Sequence, residues 1–132
     1  MKYGQLLPPI VLVILLSCGT EPKPVLTSQY MVKVDSLFRT AFGATGDTLT
    51  LKLYGTIGSD GCCSFSRFDE TKQPLRLDLS VWGQRSSADA CPAVMVYLNG
   101  KEYRVIATQQ GWYSINIHQP GGSLLIDSIL IK

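Results

Sequence analysis

The chain has 132 residues, of which 45% are hydrophobic and 17% charged, and its formal net charge is +2 at pH 7. A chain of this length is expected to form one domain. A near-neutral chain without a run of Lys or Arg has no electrostatic footprint for DNA or RNA, so we expect no nucleic-acid partner.

The N-terminal segment predicts an export signal over residues 1–17. Lys2 gives the segment a positive start, and residues 6–16 are apolar, interrupted only by Pro8 and Pro9. This run of about eleven residues matches a signal h-region and is shorter than the roughly 20 residues of a membrane-spanning helix. We therefore expect a cleaved signal rather than a retained anchor.

The sequence Leu15-Leu16-Ser17-Cys18 ends this run and resembles the lipobox of bacterial lipoproteins. The resemblance implies that Cys18 becomes the first mature residue and carries a diacylglyceryl thioether, with its new amino terminus acylated. Two or more acyl chains anchor a protein stably to a membrane. Gly19 lacks the Asp that marks inner-membrane retention in enterobacterial lipoproteins, so we expect the outer membrane, on its periplasmic or surface face.

Residues 18–28 are interpreted as the lipidated cysteine and a tether, because they contain two prolines and few large apolar side chains. Residues 29–132 are then the folded domain. This length is enough for one modest hydrophobic core.

Three stretches of the domain alternate apolar and polar residues, which is typical of half-buried antiparallel strands. The apolar positions are Leu49, Leu51, Leu53 and Ile57 in residues 48–57, Leu75, Leu77, Leu79 and Val81 in residues 75–81, and Tyr113, Ile115 and Ile117 in residues 113–118.

Turn residues divide the rest of the domain. Asn99-Gly100, between residues 94–98 and 101–107, predicts a hairpin with a type I′ turn. Pro120-Gly121-Gly122 predicts a second reversal before a terminal strand over residues 123–131.

Residues 30–38 and 63–68 complete about eight predicted strands, and residues 36–44 are the one segment that could form a helical turn or two. The pattern predicts an all-β fold, an immunoglobulin-like antiparallel β-sandwich of about seven to eight strands. A small β-barrel is the alternative.

Residues 61–68 (Gly-Cys-Cys-Ser-Phe-Ser-Arg-Phe), Cys91 and residues 111–117 (Gly-Trp-Tyr-Ser-Ile-Asn-Ile) resemble small Bacteroidota-type lipoproteins with immunoglobulin-like domains. The likeness covers residues 48–131. It implies the sandwich fold, and it supplies no activity to transfer to this chain. In that pattern one cysteine stands where this chain has both Cys62 and Cys63.

Three cysteines remain in the exported domain, where thiols tend to pair. A vicinal bond between Cys62 and Cys63 would close a strained ring, so we expect Cys91 to pair with one of the two. Strand parity puts Cys63 on the face of Phe65 and favours Cys63. The resemblance, in which the cysteine stands three residues before the Phe, favours Cys62. The choice stays open from the sequence.

The third thiol is expected to be a buried small hydrophobe, with dimer formation or redox activity as alternatives.

A Cys₃His metal site of Cys62, Cys63, Cys91 and His118 is conceivable, but zinc sites usually use C-x₂₋₄-C pairs, so we expect no metal and no cofactor. His118 faces outward by parity. No catalytic motif is present, so we expect no enzyme. The alternative is a thiol- or metal-dependent envelope enzyme that uses these four residues.

Parity exposes Trp82 and Trp112, and Arg85 follows Trp82 at the start of a polar loop that ends at Cys91. Exposed aromatic residues on a sandwich can anchor a partner or stack on a sugar. The competing interpretation is that they pack under loops. We predict a non-catalytic envelope binding or assembly module with an unknown protein or glycan partner and a membrane anchor at Cys18, and Trp82, Arg85 and Trp112 as its possible binding surface.

Overall fold

The computed structural model describes residues 19–87 and 90–132, so the predicted signal segment and Cys18 lie outside the described residues. The described chain consists of strands, turns and loops. Its strands are β1 (Thr27–Met31), β2 (Ser36–Arg39), β3 (Phe42–Gly43), β4 (Thr48–Tyr54), β5 (Thr56–Gly58), β6 (Cys63–Gln73), β7 (Arg76–Ser86), β8 (Val96–Tyr97), β9 (Lys101–Ile106), β10 (Gly111–His118) and β11 (Leu124–Ile131). The first strand begins at Thr27, inside the segment interpreted as the tether.

Six strands form the first sheet, in the order β1-β7-β10-β11-β3, with β6 paired to β7 as well. The long β7 has β6 along one edge, while β10 and β1 share its other edge, because β10 pairs with residues 76–80 and β1 with residues 82–86. The β10 and β7 strands are parallel, as are β11 and β3. These two parallel pairs depart from the predicted antiparallel pattern.

The second sheet has the order β2-β4-β9, and the short pair β5-β8 continues β4 and β9 at one end. The two sheets face each other across one hydrophobic core. Phe68 of β6 lies edge-on to Tyr103 of β9, with ring centroids 5.2 Å apart. Arg39 of β2 binds Asp127 of β11, with Nε and Oδ2 2.7 Å apart. The predicted all-β sandwich is confirmed.

The core is built from the positions that the alternation predicted. Ten of the eleven predicted positions are buried and the other, Leu75, is half-buried. Burial of apolar side chains on both inner faces is the main force that holds the sheets together. The buried ten are Leu49, Leu51, Leu53, Ile57, Leu77, Leu79, Val81, Tyr113, Ile115 and Ile117.

The prediction of a hairpin at Asn99-Gly100 is wrong, although the backbone has the expected form. Asn99 and Gly100 have φ values of 48° and 77°. The flanking strands do not pair with each other, because β8 pairs with β5 and β9 with β4. The amides of Leu98 and Gly100 donate to the carbonyls of Gly55 and Leu53. The dipeptide therefore forms a kink between β8 and β9, and both strands pair with the same stretch of chain, β4 and β5. A β-bulge has this role.

The possible helical turn over residues 36–44 is also wrong. This segment forms β2 and β3 and carries the chain from the second sheet to the first. The reversal at Pro120-Gly121-Gly122 is confirmed, because β10 and β11 form an antiparallel pair on either side of it and both glycines have positive φ. Among the described residues, no helix is long and apolar enough to span a membrane.

Candidate functional site

The cysteines gather at one end of the sandwich, where β6 begins and β7 ends. Cys62 and Cys91 form a disulfide with an S–S distance of 2.01 Å. Cys63 is a free, buried thiol. Of the two alternatives left open, the structure therefore contains the pairing that the resemblance favours. Parity correctly placed Cys63 on the core face, but a core-facing side chain at this strand end points away from Cys91.

An ion pair lies beside the disulfide. Arg85 Nη2 is 3.0 Å from Asp60 Oδ2, and it also lies 3.6 Å from Cys91 Sγ. Asp60 Oδ1 accepts the amide of Cys62 as well. The Arg85 guanidinium is the main reason why the pKa of Asp60 is lowered, and the Cys62 amide adds to this effect. Arg85 is therefore already bound within its own domain. Asp60 was not among the site residues predicted from the sequence, although Asp60-Gly61 before Cys62 is a recognisable turn signal.

The free thiol lies under Tyr30. The Tyr30 hydroxyl donates to the carbonyl of Ile57 at 2.6 Å. Burial, followed by the hydrogen bond with Cys63, raises the pKa of Tyr30 to about 12. A Cβ atom at Gly58 would stand 2.3 Å from the Cys63 sulfur, so the backbone packs closely over this thiol. The surroundings match those of a structural cysteine and differ from the exposed, electropositive environment of a reactive one.

A metal site at this end would have to use Asp60, Cys62 and Cys91, whose ligand atoms lie within 4.8 Å of one another. Metal ions bind cysteine as thiolate. Both sulfurs are committed to the disulfide, and Arg85 occupies the Asp60 carboxylate. In this oxidised state the three residues do not fit a metal ion.

The structure separates His118 from the cysteines. It lies on the outer face of the first sheet, where its Nε2 is 3.2 Å from Asp78 Oδ1. Asp78 also accepts two hydrogen bonds from Arg76. The Arg76 hydrogen bonds lower the pKa of Asp78 most strongly, and His118 contributes less. The four residues of the conceivable Cys₃His site therefore do not come together.

Trp82 lies on the outer face of β7 but is only half-exposed. Arg67 of the paired strand β6 covers its ring, with Cζ 5.0 Å from the centroid. Its indole N–H is buried and has no hydrogen-bond partner among the described residues. Trp82 and Arg85 are three residues apart on one strand and so point to opposite faces. They do not form one surface.

Trp112 belongs to a different region, roughly 26 Å from Trp82 along the parallel strands. Trp112 pairs with Leu130, which pairs with Phe42, so the three side chains cross the outer face of the first sheet in one row. Leu124 and Ile126 continue along the same face of β11. We call these five residues the β11 surface. Trp112, Ile126 and Phe42 are 66%, 64% and 63% exposed.

A shallow depression of about 250 Å³ opens on the second sheet where β5 and β8 meet the kink. Tyr54 and Tyr97 stand at its sides. Nothing in the sequence indicated that these two tyrosines share a cavity. The lining residues are Asp35, Tyr54, Gly55, Thr56, Tyr97 and Asn99.

No family model matches the chain, and no curated protein or solved structure shows significant similarity to it. What the chain does must therefore be inferred from its own residues.

Proposed function

We propose that the mature chain is a non-catalytic module of the cell envelope, anchored to the outer membrane through lipid on Cys18, and that the β11 surface receives its protein partner. The observation that carries this proposal is the exposure of Trp112, Ile126 and Phe42 on neighbouring strands. Single exposed apolar residues are ordinary, whereas several of them on one sheet face are typical of an interaction site. Here the row of Trp112, Leu130 and Phe42 and the pair Leu124 and Ile126 share one face, with Ser128 between them.

The edge of the sheet at β11 supports a partner that adds a strand. Beyond its pairing with β10, β11 pairs only at Leu130 and Ile131, with the short β3, so residues 124–129 have no further strand partner in the described chain. An open edge offers backbone donors and acceptors to an incoming strand.

The opposite edge of the same sheet is built differently. There β6 carries charged side chains, among them Arg67, Asp69 and Lys72, and its pairing with β7 is interrupted by an irregularity between Phe65 and Arg67. Charges and bulges protect an edge against association. The outward positions of β11 are Leu124, Ile126, Ser128 and Leu130, none of which is charged. Of these two edges, β11 is the one suited to a partner.

The experiment places a photo-crosslinking amino acid at Trp112 in the full chain expressed in its native envelope. We expect a discrete crosslinked species in the detergent phase, lost in an Ile126→Lys variant because a charge on the β11 surface must be desolvated. The matched control is Gln73→Lys on the β6 edge, which should leave the species unchanged.

Cys18→Ala tests the anchor in the same cells. The variant should escape lipid labelling and remain unprocessed at this site. Normal processing and detergent partition of this variant would refute the anchor. A crosslinked species that persists in the Ile126→Lys variant would refute the β11 surface.

A further inference from the structure

We propose that the depression between Tyr54 and Tyr97 binds a single neutral sugar ring of a glycan. It lies on the second sheet, so it is a site separate from the β11 surface and from the protein partner proposed there. Its volume of about 250 Å³ is below the roughly 300–1,000 Å³ of sites for drug-sized molecules, which fits one ring better than an extended ligand.

The two tyrosines supply the apolar part of the site. Tyr54 follows the buried Leu53 and therefore faces outward, and Tyr97 pairs with Thr56 on the same outward face. Tyr97 is 58% exposed and Tyr54 39%. A pyranose presents flat faces of C–H groups, and an exposed phenol ring offers a rigid surface that is apolar at its face and polar at its tip.

The polar groups around the rings are available to sugar hydroxyls. In the described part of the chain, the hydroxyls of Tyr54, Tyr97 and Thr56 and the amide of Asn99 make no hydrogen bond to another protein group. The Asp35 carboxylate is 3.7 Å from Lys33 Nζ at the surface. Each sugar hydroxyl both donates and accepts. This mixture of hydroxyl, amide and carboxylate groups can satisfy both roles.

The charge of the depression favours a neutral ligand. Asp35 is the one charged residue of the lining, and Lys33 offsets it. A phosphate or a uronic acid would need an excess of positive charge or bidentate Arg donors, and the lining has neither. A site with one carboxylate is also a poor match for a divalent cation.

The backbone beneath the depression is packed tightly, so the site is formed before a ligand arrives. The Asp35 amide donates to the Tyr54 carbonyl at 2.8 Å, and the Leu98 amide donates to the Gly55 carbonyl at 2.9 Å. A Cβ atom at Gly55 would stand 2.4 Å from the Lys33 carbonyl oxygen, so the floor has no room for a side chain. A preformed site loses less entropy on binding.

The test uses the purified full chain in a detergent without a sugar headgroup, titrated with maltopentaose, cellopentaose and chitotetraose by saturation-transfer NMR. We expect at least one of these neutral oligosaccharides to bind, and Tyr97→Ala to weaken that binding at least tenfold. Tyr97→Phe keeps the ring and should retain most of the binding. Phe38→Ala, which removes an exposed aromatic ring outside the depression, should have no effect.

Two further arms separate the possible outcomes. Tighter binding of tetragalacturonate than of every neutral oligosaccharide would overturn the proposal. A saturation-transfer signal from a neutral oligosaccharide that is unchanged in a folded Tyr97→Ala variant would overturn it as well. No binding of any neutral oligosaccharide would also overturn it. Ile126→Lys should bind sugar normally, so the sugar site and the β11 surface can fail independently of each other.

Discussion

At the scale of single residues, the two tryptophans differ in what surrounds them. Trp112 stands in water at the end of the β11 surface, whereas the Trp82 ring is sandwiched between its own sheet and Arg67. The alternation along a strand predicts which face of the sheet a side chain lies on. It does not predict whether a side chain of the neighbouring strand covers it. This is why the sequence predicted exposure for both residues and the structure leaves only one fully exposed.

Fluorescence can separate the two residues, because they are the only tryptophans of the chain. Trp112→Phe should leave a blue-shifted emission from Trp82 that iodide quenches weakly. Trp82→Phe should leave a red-shifted emission that is quenched readily. Acrylamide, which is uncharged, serves as a control because Arg67 attracts iodide. Equal quenching of both variants would contradict the packing of Trp82 described above.

At the scale of elements, the Gln119 side chain supplies the backbone hydrogen bonds that a neighbouring strand would otherwise make to Val34. Its side-chain oxygen accepts the Val34 amide and its side-chain nitrogen donates to the Val34 carbonyl, both at 2.9 Å. Val34 lies between β1 and β2, where the chain crosses from one sheet to the other. Both backbone groups are buried with this amide as their partner. Gln119 therefore holds the crossing in place.

We expect Gln119→Ala to lower the free energy of unfolding by about 2–4 kcal/mol, because two buried backbone groups lose their partner. Urea denaturation measures this loss, and hydrogen exchange at the Val34 amide should accelerate in parallel. Gln109→Ala removes an exposed glutamine and should change the stability by less than about 0.5 kcal/mol. A loss of similar size in both variants would rule out the bidentate contact as the cause.

Elements also show what the sequence could predict. Alternation of apolar residues located the inner faces of β4, β7 and β10, because burial of one face is a local property of a strand. The backbone angles of Asn99-Gly100 were predicted correctly, but the pairing of its two flanking strands with each other was not. That pairing depends on where residues 48–58 lie, because these residues pair with both strands. Gln119 carried no signal, since a side chain that bonds to a backbone 85 residues away is invisible to local pattern.

At the scale of the whole molecule, three ion pairs contain carboxylates whose pKa values are lowered. Two of them, Arg85–Asp60 and Arg39–Asp127, join parts of the chain that are distant in sequence, and the third lies within β7. Arg85 lowers the pKa of Asp60, Arg76 that of Asp78 and Arg39 that of Asp127, in each case mainly through a hydrogen bond. A carboxyl with a lower pKa in the folded state stabilises the fold above its unfolded pKa. That contribution is lost as the pH falls through the folded value.

Asp127 is the sharpest test because its partner Arg39 belongs to the opposite sheet. Asp127→Asn should lower the free energy of unfolding by up to about 1 kcal/mol at pH 7. The difference from the parent protein should begin to shrink below about pH 4, where the unfolded carboxyl becomes protonated, and should disappear below the lowered pKa of the folded Asp127. Urea midpoints between pH 7 and pH 3 measure it, and a double-mutant cycle with Arg39→Gln isolates the pair. A difference that stays constant with pH would refute this assignment.

The position of the disulfide has a mechanical consequence. A pull on residues 19–26 reaches the fold through β1, whose five residues pair with the end of β7, so a force along β1 loads those hydrogen bonds in shear. Once the domain unfolds, the Cys62–Cys91 disulfide prevents the stretch of chain between the two cysteines, which are 29 residues apart, from being extended. At about 3.4 Å per residue the oxidised chain is then shorter at full stretch by roughly 100 Å than the reduced one. The longest hairpin of the sheet, β6-β7, thus stays a closed loop under tension.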